Sequence, residues 1–178
     1  MSSHRASVRY AKALIEISKE QNSLEQVKED MQLFSKVISE NHELAVILKN
    51  PIVQAHKKAA ILKALFEKRI QPIAFKTFEL IISKNRENIL DEIAIKFVEQ
   101  YNLFKGIVVA NVTTPYALES TQKQEIIKLV ENITQKKVDL VEVIDDSLIG
   151  GFVLTIGDNQ IDESVKSKLA KIQRALVA

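Results

Sequence analysis

The chain offers few residues whose type and spacing could perform chemistry. Its three histidines, His4, His42 and His56, are scattered, and none has a partner four residues away that would form a metal-binding pair on a helix. Cysteine is absent, which excludes disulfides, thiolate zinc ligands and a cysteine nucleophile. We therefore expect the histidines to occupy surface or loop positions, and we predict neither a metal nor a cofactor.

Two further pairs of residues invite a chemical interpretation. Asp145-Asp146 could supply half of a cation site, but no other carboxylate cluster or glycine-bearing loop frames it, so a solvated turn is the better interpretation. Gly150-Gly151 lacks the GxxxxGK[ST] frame of a phosphate-binding loop and favours a close backbone approach at the entry to a strand. The sequence therefore favours a protein that is not an enzyme.

Composition excludes several other classes of protein. The chain has 178 residues, of which 46% are apolar and 27% charged, a balance typical of folded globular proteins. A net charge of +2 gives no strong attraction to nucleic acid or acidic lipid. No apolar run approaches the roughly 20 residues that cross a bilayer, so we expect no direct insertion into a membrane.

One basic run keeps a second hypothesis open. Lys57-Lys58 and Lys63 fall on a segment with one apolar side, and we interpret the lysines as a solvated helix face. The alternative is an all-helical RNA-binding or antitermination-type protein, which would need a continuous positive face.

The distribution of glycine divides the chain into two parts. All four glycines follow residue 105, so the first 105 residues avoid turns of positive φ and suit helices joined by short polar connections. We place the boundary near Lys105-Gly106, with a helical domain at 1–105 and a second domain at 106–178. The fold class predicted is α+β overall.

Apolar residues of the first part recur at helical spacing. One stripe contains Leu24, Val27, Met31, Phe34 and Ile38, and a later one contains Ile89, Ile93, Phe97, Tyr101 and Phe104. Asn50-Pro51 and Gln71-Pro72 interrupt the pattern, because proline disfavours helical geometry in the residue before it. The sequence therefore predicts a six-helix N-terminal bundle with short loops.

The second part changes from helical to strand periodicity. Residues 107–113 form a continuous β-branched run, residues 138–144 form a second strand, and residues 152–156 form a third that ends at a Gly157-Asp158-Asn159 turn. A helix separates the first two strands, and Asp162 is placed to cap a last helix. We predict a small C-terminal α/β domain of order βαββα.

The order of several motifs resembles one family, the delta subunit of bacterial and chloroplast F-type ATP synthases, called the oligomycin-sensitivity-conferring protein in mitochondria. The resemblance covers nearly the whole chain. Its motifs are Arg9-Tyr10-Ala11-Lys12-Ala13-Leu14, Leu48-Lys49-Asn50-Pro51, Leu65-Phe66, Arg86, Leu90 and the C-terminal set Asp145, Leu148-Ile149-Gly150-Gly151, Gly157-Asp158, Asp162 and Ser164-Val165-Lys166.

The resemblance implies a non-catalytic stator connector. In that family the helical bundle grips the N-terminal helices of the alpha subunits in the catalytic head, and the C-terminal domain meets the C-termini of the b subunits in the peripheral stalk. The family pattern begins at about residue 8, from which we expect no organelle presequence and a bacterial origin. The expected location is the cytoplasmic face of the inner membrane, peripheral, within the ATP synthase complex.

The resemblance also suggests where each partner binds. By analogy with the first and fifth helices of the family, we expect a groove for the alpha helix lined by Ala6, Tyr10, Ala11, Ala13, Leu14, Phe75, Phe78 and Ile82. The alanines would admit a partner backbone, with Tyr10 and Leu14 as walls. Apolar residues on more than one side of 73–82 exceed what one core-facing stripe needs, which indicates a partner.

The second joint would lie in the C-terminal domain. Its candidate residues are Gly150, Gly151, Lys166, Lys168 and Lys171, with the lysines facing the charged stalk helices. The apolar residues of the same helix, Val165, Leu169 and Ile172, are expected to belong to the internal core of the domain.

Overall fold

The chain folds into two compact units, which are described separately. The computed structural model describes residues 3–177, with side chains described for 4–174. Its internal contacts divide the chain into Met1–Tyr101 and Asn102–Ala178.

Helices form the whole of the first unit. They are α1 (Ser3–Glu20), α2 (Leu24–Glu40), α3 (His42–Lys49), α4 (Ala55–Phe66), α5 (Pro72–Ser83) and α6 (Leu90–Lys105), with a 3₁₀ turn at Glu87–Ile89. The boundary between the two units lies in the last turns of α6. Pro72 is the first residue of α5, where its missing N–H would have had no helical partner. The six helices of the predicted bundle are confirmed.

The predicted apolar stripes form the core of the bundle. All five members of the α2 stripe are buried, and Phe34 packs against Phe66 and Phe78 with ring centroids 5.1 Å and 4.5 Å apart. Of the later stripe, Ile93, Phe97 and Tyr101 are buried, but Phe104 is exposed. This exception was not predicted, because helical spacing alone does not say where along the stripe burial ends.

The second unit is a four-stranded sheet with two helices. Its elements are β1 (Ile107–Thr114), α7 (Ser120–Thr134), β2 (Lys137–Ile144), β3 (Val153–Ile156), β4 (Asn159–Asp162) and α8 (Val165–Val177). The strand order is β2-β1-β3-β4. Strands β1 and β2 are parallel and joined through α7, whereas β3 is antiparallel to both β1 and β4. The α+β fold class is confirmed.

One strand was not predicted. Gly157-Asp158 forms a two-residue hairpin turn, in which Gly157 has φ of +56°, and Asn159 pairs with Ile156 to begin β4. The sequence Asn-Gln-Ile-Asp is too polar and too short to give an alternating apolar signal. The domain is therefore βαβββα rather than βαββα.

Only one face of the sheet is covered by α7. Ala110, Val112 and Leu154 point to that face and form its core with Ile126 and Val130 of α7. Since successive strand residues point to opposite faces, their neighbours form a second, more exposed face of mixed polar and apolar residues.

Candidate functional site

The structure buries most of the residues predicted to line the alpha-helix groove. Ala6, Ala11 and Leu14 of α1, together with Phe78 and Ile82 of α5, are buried inside the bundle. Phe78 is one of the three packed rings of the core. These five side chains pack helices of the bundle against one another. Other residues would therefore have to make the direct contacts with a partner.

The two buried alanines have a different structural effect from the one expected. Ala11 is fully buried, and its small side chain allows α1 to approach the rest of the bundle closely. A partner backbone therefore has no access to it in this structure. The sequence does not reveal whether a small residue on α1 faces a partner or the bundle itself.

The remaining three predicted residues face outward. Tyr10 and Phe75 are half-buried and Ala13 is exposed. Ile17 is 41% exposed and lies one helical turn beyond Ala13. Together, Tyr10, Ala13 and Ile17 make an accessible apolar strip along α1, hereafter the α1 strip.

Arg86 connects this strip to the end of α5. Its guanidinium donates to the hydroxyl of Tyr10 at 3.3 Å, and Cζ lies 6.0 Å from the centre of the Tyr10 ring. Contacts of this kind between a cation and an aromatic face are favourable. Arg86 lies three residues after the end of α5, so the contact places the Tyr10 end of the α1 strip near that end of the helix.

The beginning of α1 is held by polar contacts to α6. Ser7 Oγ donates to Glu92 Oε2 at 2.8 Å, His4 Nδ1 lies 2.9 Å from Glu92 Oε1, and Gln100 Nε2 donates to the carbonyl of Val8 at 3.1 Å. The hydroxyl of Ser7, followed by His4, holds the pKa of Glu92 below its ordinary value. These contacts fix the helix that carries the α1 strip.

Lys58 is not part of a solvated basic face. Its side chain is 1% exposed, and Nζ donates to the carbonyl of Leu48 at 2.9 Å and to Glu87 Oε1 at 2.7 Å. The sequence interpretation of this residue was wrong, because its carboxylate partner lies 29 residues further along the chain. Burial of Lys58 removes the centre of the basic run on which the RNA-binding alternative depended.

In the second unit, the glycine pair positions the last helix. A Cβ on Gly151, which has φ of +79°, would lie 2.4 Å from the carbonyl oxygen of Glu163, and one on Gly150 would lie 3.2 Å from Cγ2 of Val165. The carbonyl of Gly150 accepts a hydrogen bond from the Val165 N–H at 3.0 Å. The glycines therefore allow the loop to pack against the start of α8, as the predicted close approach required.

Ser164, rather than Asp162, caps α8. Its Oγ accepts the N–H of Ser167 at 3.2 Å, which satisfies a donor of the first helical turn. Asp162 supports the cap from outside the helix, because its carboxylate accepts the Ser164 N–H at 2.9 Å and the Ser167 hydroxyl. These hydrogen bonds, that of the Ser167 hydroxyl first, lower the pKa of Asp162 to about 2.

The apolar stripe of α8 is not core, contrary to expectation. Leu169 and Ile172 are 57% and 55% exposed, and Val165 is also exposed. Helical spacing places these three residues on one side, hereafter the α8 stripe. The prediction was wrong because periodicity shows that a helix is amphipathic but not that its own domain covers the apolar side.

Cations surround the α8 stripe. Lys166, Lys168 and Lys171 are all exposed, and Lys168 Nζ lies 2.9 Å from Glu163 Oε2. The helix itself contains four basic residues and no acidic residue. Such a surface is suited to an amphipathic partner that carries negative charge beside its apolar residues.

The other chemical candidates form no site among the described side chains. Asp145 Oδ1 accepts the Ser147 N–H at 2.9 Å, as in the predicted turn. Within residues 4–174, no three side chains of metal-binding type come together. No described helix is both long enough and apolar enough to cross a bilayer.

A helical bundle and a small α/β unit, each with an uncovered apolar helix surface, define a class of protein that works by binding other proteins. Comparison with known proteins identifies the family. The family described as ATP synthase delta (OSCP) subunit matches residues 6–176. The chain is similar to the ATP synthase subunit delta of Cytophaga hutchinsonii, with 40% identity over 97% of this chain and 94% of the relative. It is also similar to those of Desulforamulus reducens, at 36% over 96% and 94%, and Chlorobaculum tepidum, at 34% over 100% and 98%.

A solved structure shows the same fold. A chain in the cryo-EM structure of the Toxoplasma gondii mitochondrial ATP synthase hexamer superposes with a TM-score of 0.73 at 23% identity, covering 97% of both chains. The chain belongs to the ATP synthase delta (OSCP) subunit family. It is accordingly a non-catalytic subunit of F-type ATP synthase that associates with other subunits of that complex. The RNA-binding alternative is not favoured.

Proposed function

We propose that this protein is the stator connector that holds the alpha/beta catalytic head to the peripheral stalk of b subunits, so that rotor torque is resisted during proton-driven ATP synthesis. The observation that carries the proposal is that each compact unit leaves an apolar helix surface uncovered, the α1 strip in one and the α8 stripe in the other. A connector needs two such surfaces, one for each partner.

The first unit binds the N-terminal helices of the alpha subunits. An amphipathic partner helix would lay its apolar face along Tyr10, Ala13 and Ile17, and Phe75 is the candidate contact on α5. Ala13 provides the low point of this surface, because its neighbours along the strip are large. Leu14 and Phe78, which belong to the predicted groove but are buried, would support this surface from beneath.

The second unit binds the C-termini of the b subunits through α8. Leu169 and Ile172 supply apolar contact, and Lys166, Lys168 and Lys171 attract acidic residues of the stalk helices. Gly150 and Gly151 contribute indirectly, because they set the position at which α8 begins.

Torque resistance requires both joints to be strong. A joint of nanomolar affinity corresponds to about −12 kcal/mol, which suits a permanent connection. A few apolar anchors in a helix interface can supply most of that energy. The protein would then be peripheral on the cytoplasmic face of the bacterial inner membrane, retained there through the complex.

Co-purification from membranes tests the two joints separately. A tagged chain should retain both alpha and b subunits, Ala13→Glu should lose alpha but keep b, and Leu169→Asp should lose b but keep alpha. Loss of both subunits from either variant, or of neither, would contradict the assignment. Salt-sensitive retention of RNA in place of these subunits would favour the alternative.

A further inference from the structure

Arg86 leaves most of its hydrogen-bonding capacity unused within the first unit. Its side chain is exposed, and among the side chains of residues 4–174 its guanidinium donates only to the hydroxyl of Tyr10, at 3.3 Å. A guanidinium carries five N–H donors and stays charged at any physiological pH. The other donors of Arg86 are therefore available to a group from outside the unit.

The acidic residues that follow Arg86 in the chain are engaged with other groups. Each of them has its own partner on another helix of the unit: Glu87 contacts Lys58, Asp91 contacts Lys49, and Glu92 accepts from Ser7 and contacts His4. The positive charge of Arg86 accordingly has no carboxylate partner among the side chains that the structure describes.

The guanidinium of Arg86 is held in position from two sides. The backbone is fixed because the Arg86 N–H donates to the carbonyl of Ile81, and the Arg86 carbonyl accepts the N–H of Ile89, both at 3.1 Å. At the other end of the side chain, Cζ lies 6.0 Å from the centre of the Tyr10 ring. A side chain that is ordered before binding loses less conformational entropy when a partner arrives.

We propose that Arg86 binds a carboxylate of the alpha-subunit helix at the Tyr10 end of the α1 strip and thereby sets the register of that helix. The inference rests on the function proposed above, because it uses the same strip. Apolar contact is non-directional, whereas a planar guanidinium binds a carboxylate through two parallel N–H···O bonds that fix its position. The partner must therefore carry an Asp or Glu side chain beside its apolar face.

Calorimetric titration of the full chain with a synthetic helix from the N-terminus of an alpha subunit tests this assignment. Arg86→Gln should weaken binding about tenfold, since it removes the charge and the paired donors. Lys84→Gln removes the same charge from an exposed position two residues away and should bind like the wild type. Arg86→Lys should restore only part of the affinity, because an ammonium group lacks the fork of donors.

Amide-substituted peptides separate a carboxylate contact from a structural effect that acts through Tyr10. The same helix is prepared with each Asp or Glu replaced in turn by Asn or Gln. One replacement should weaken binding to the wild type about tenfold and have no further effect on Arg86→Gln, since both changes remove one contact. Equal losses in the two proteins for every replacement would overturn the inference.

The outcomes also distinguish this inference from the proposed function. If Ala13→Glu abolishes binding while a folded Arg86→Gln variant binds normally, the α1 strip remains the site and the role given to Arg86 is wrong. If the wild type does not bind the helix at all, the joint with the alpha subunits is wrong, and the role of Arg86 is wrong with it. Circular dichroism of each variant checks that the unit is folded.

Discussion

Lys58 of α4 and Glu87 of the 3₁₀ turn form a buried ion pair, with Nζ 2.7 Å from Oε1. The same ammonium group donates to the carbonyl of Leu48 at the end of α3. One cation therefore links three structural elements of the bundle, α3, α4 and the 3₁₀ turn. The second carboxylate oxygen of Glu87 is buried, so this carboxylate depends strongly on its bond to Lys58.

Removal of Lys58 should destabilise the protein severely. Lys58→Ala leaves a buried carboxylate without its counter-charge and a helix-terminal carbonyl without its donor, for which we expect a loss of about 3–5 kcal/mol in the free energy of unfolding. Lys63→Ala removes the cation of the exposed pair Lys63–Glu67 and should cost less than about 1 kcal/mol. Urea unfolding followed by circular dichroism gives both values. Equal losses in the two variants would show that the buried pair has no special structural importance.

Two of the positive-φ glycines of the second unit, Gly151 and Gly157, should differ in their tolerance of alanine. Gly157→Ala meets open space, so the cost is the backbone conformation alone, about 1 kcal/mol. Gly151→Ala adds a Cβ that would lie 2.4 Å from the Glu163 carbonyl, so the backbone before α8 must also move. Thermal unfolding should show a clearly larger loss for Gly151→Ala. The reverse order would mean that the glycine pair does not position α8.

Stability at acid pH should depend on Asp162. Its pKa in the folded protein is lowered to about 2, below the ordinary value of about 3.9 for an unfolded chain. The carboxylate therefore contributes stability that is complete above about pH 4 and is lost as pH falls towards 2. Asp162→Asn removes this contribution, so the stability difference between the wild type and this variant should shrink across that window. A difference independent of pH would contradict the hydrogen-bonding arrangement at the start of α8.

The α8 stripe should determine binding to the stalk. Leu169→Asp and Ile172→Asp place a charge at exposed positions, so the protein should remain folded while its affinity for a purified C-terminal fragment of the b subunit falls at least tenfold. Ile133→Asp introduces the same charge at a similarly exposed position of α7 and should bind normally. Surface plasmon resonance provides the comparison. If the α7 variant binds as weakly as the α8 variants, the stalk does not recognise α8 specifically.

The sequence predicts most of the fold because its local signals are unambiguous. The absence of glycine before residue 106 and the stripe ending at Ile38 predict the helical unit, and β-branched runs predict three strands. Strand β4 was missed because it lies at an edge and its residues are mostly polar, so its formation depends on pairing with β3. Local pattern alone does not encode such pairing.

The candidate site was harder to predict because it depends on which apolar residues the fold leaves uncovered. Ala11 and Phe78 are suited both to a groove and to a core, and the structure places them in the core. Leu169 presented the opposite case, since its stripe predicts burial although the second unit leaves it exposed. The sequence determines the amphipathic character of a helix, whereas the arrangement of the other elements determines which side remains available to a partner.

The connector account is tested most directly by titrating the isolated chain with a synthetic helix from the N-terminus of an alpha subunit in a calorimeter. We expect micromolar or better affinity, abolished by Ala13→Glu, which places a charge in the α1 strip. Ala64→Glu makes the same substitution at an exposed alanine of α4 and should bind like the wild type. Normal binding by a folded Ala13→Glu variant would contradict the account.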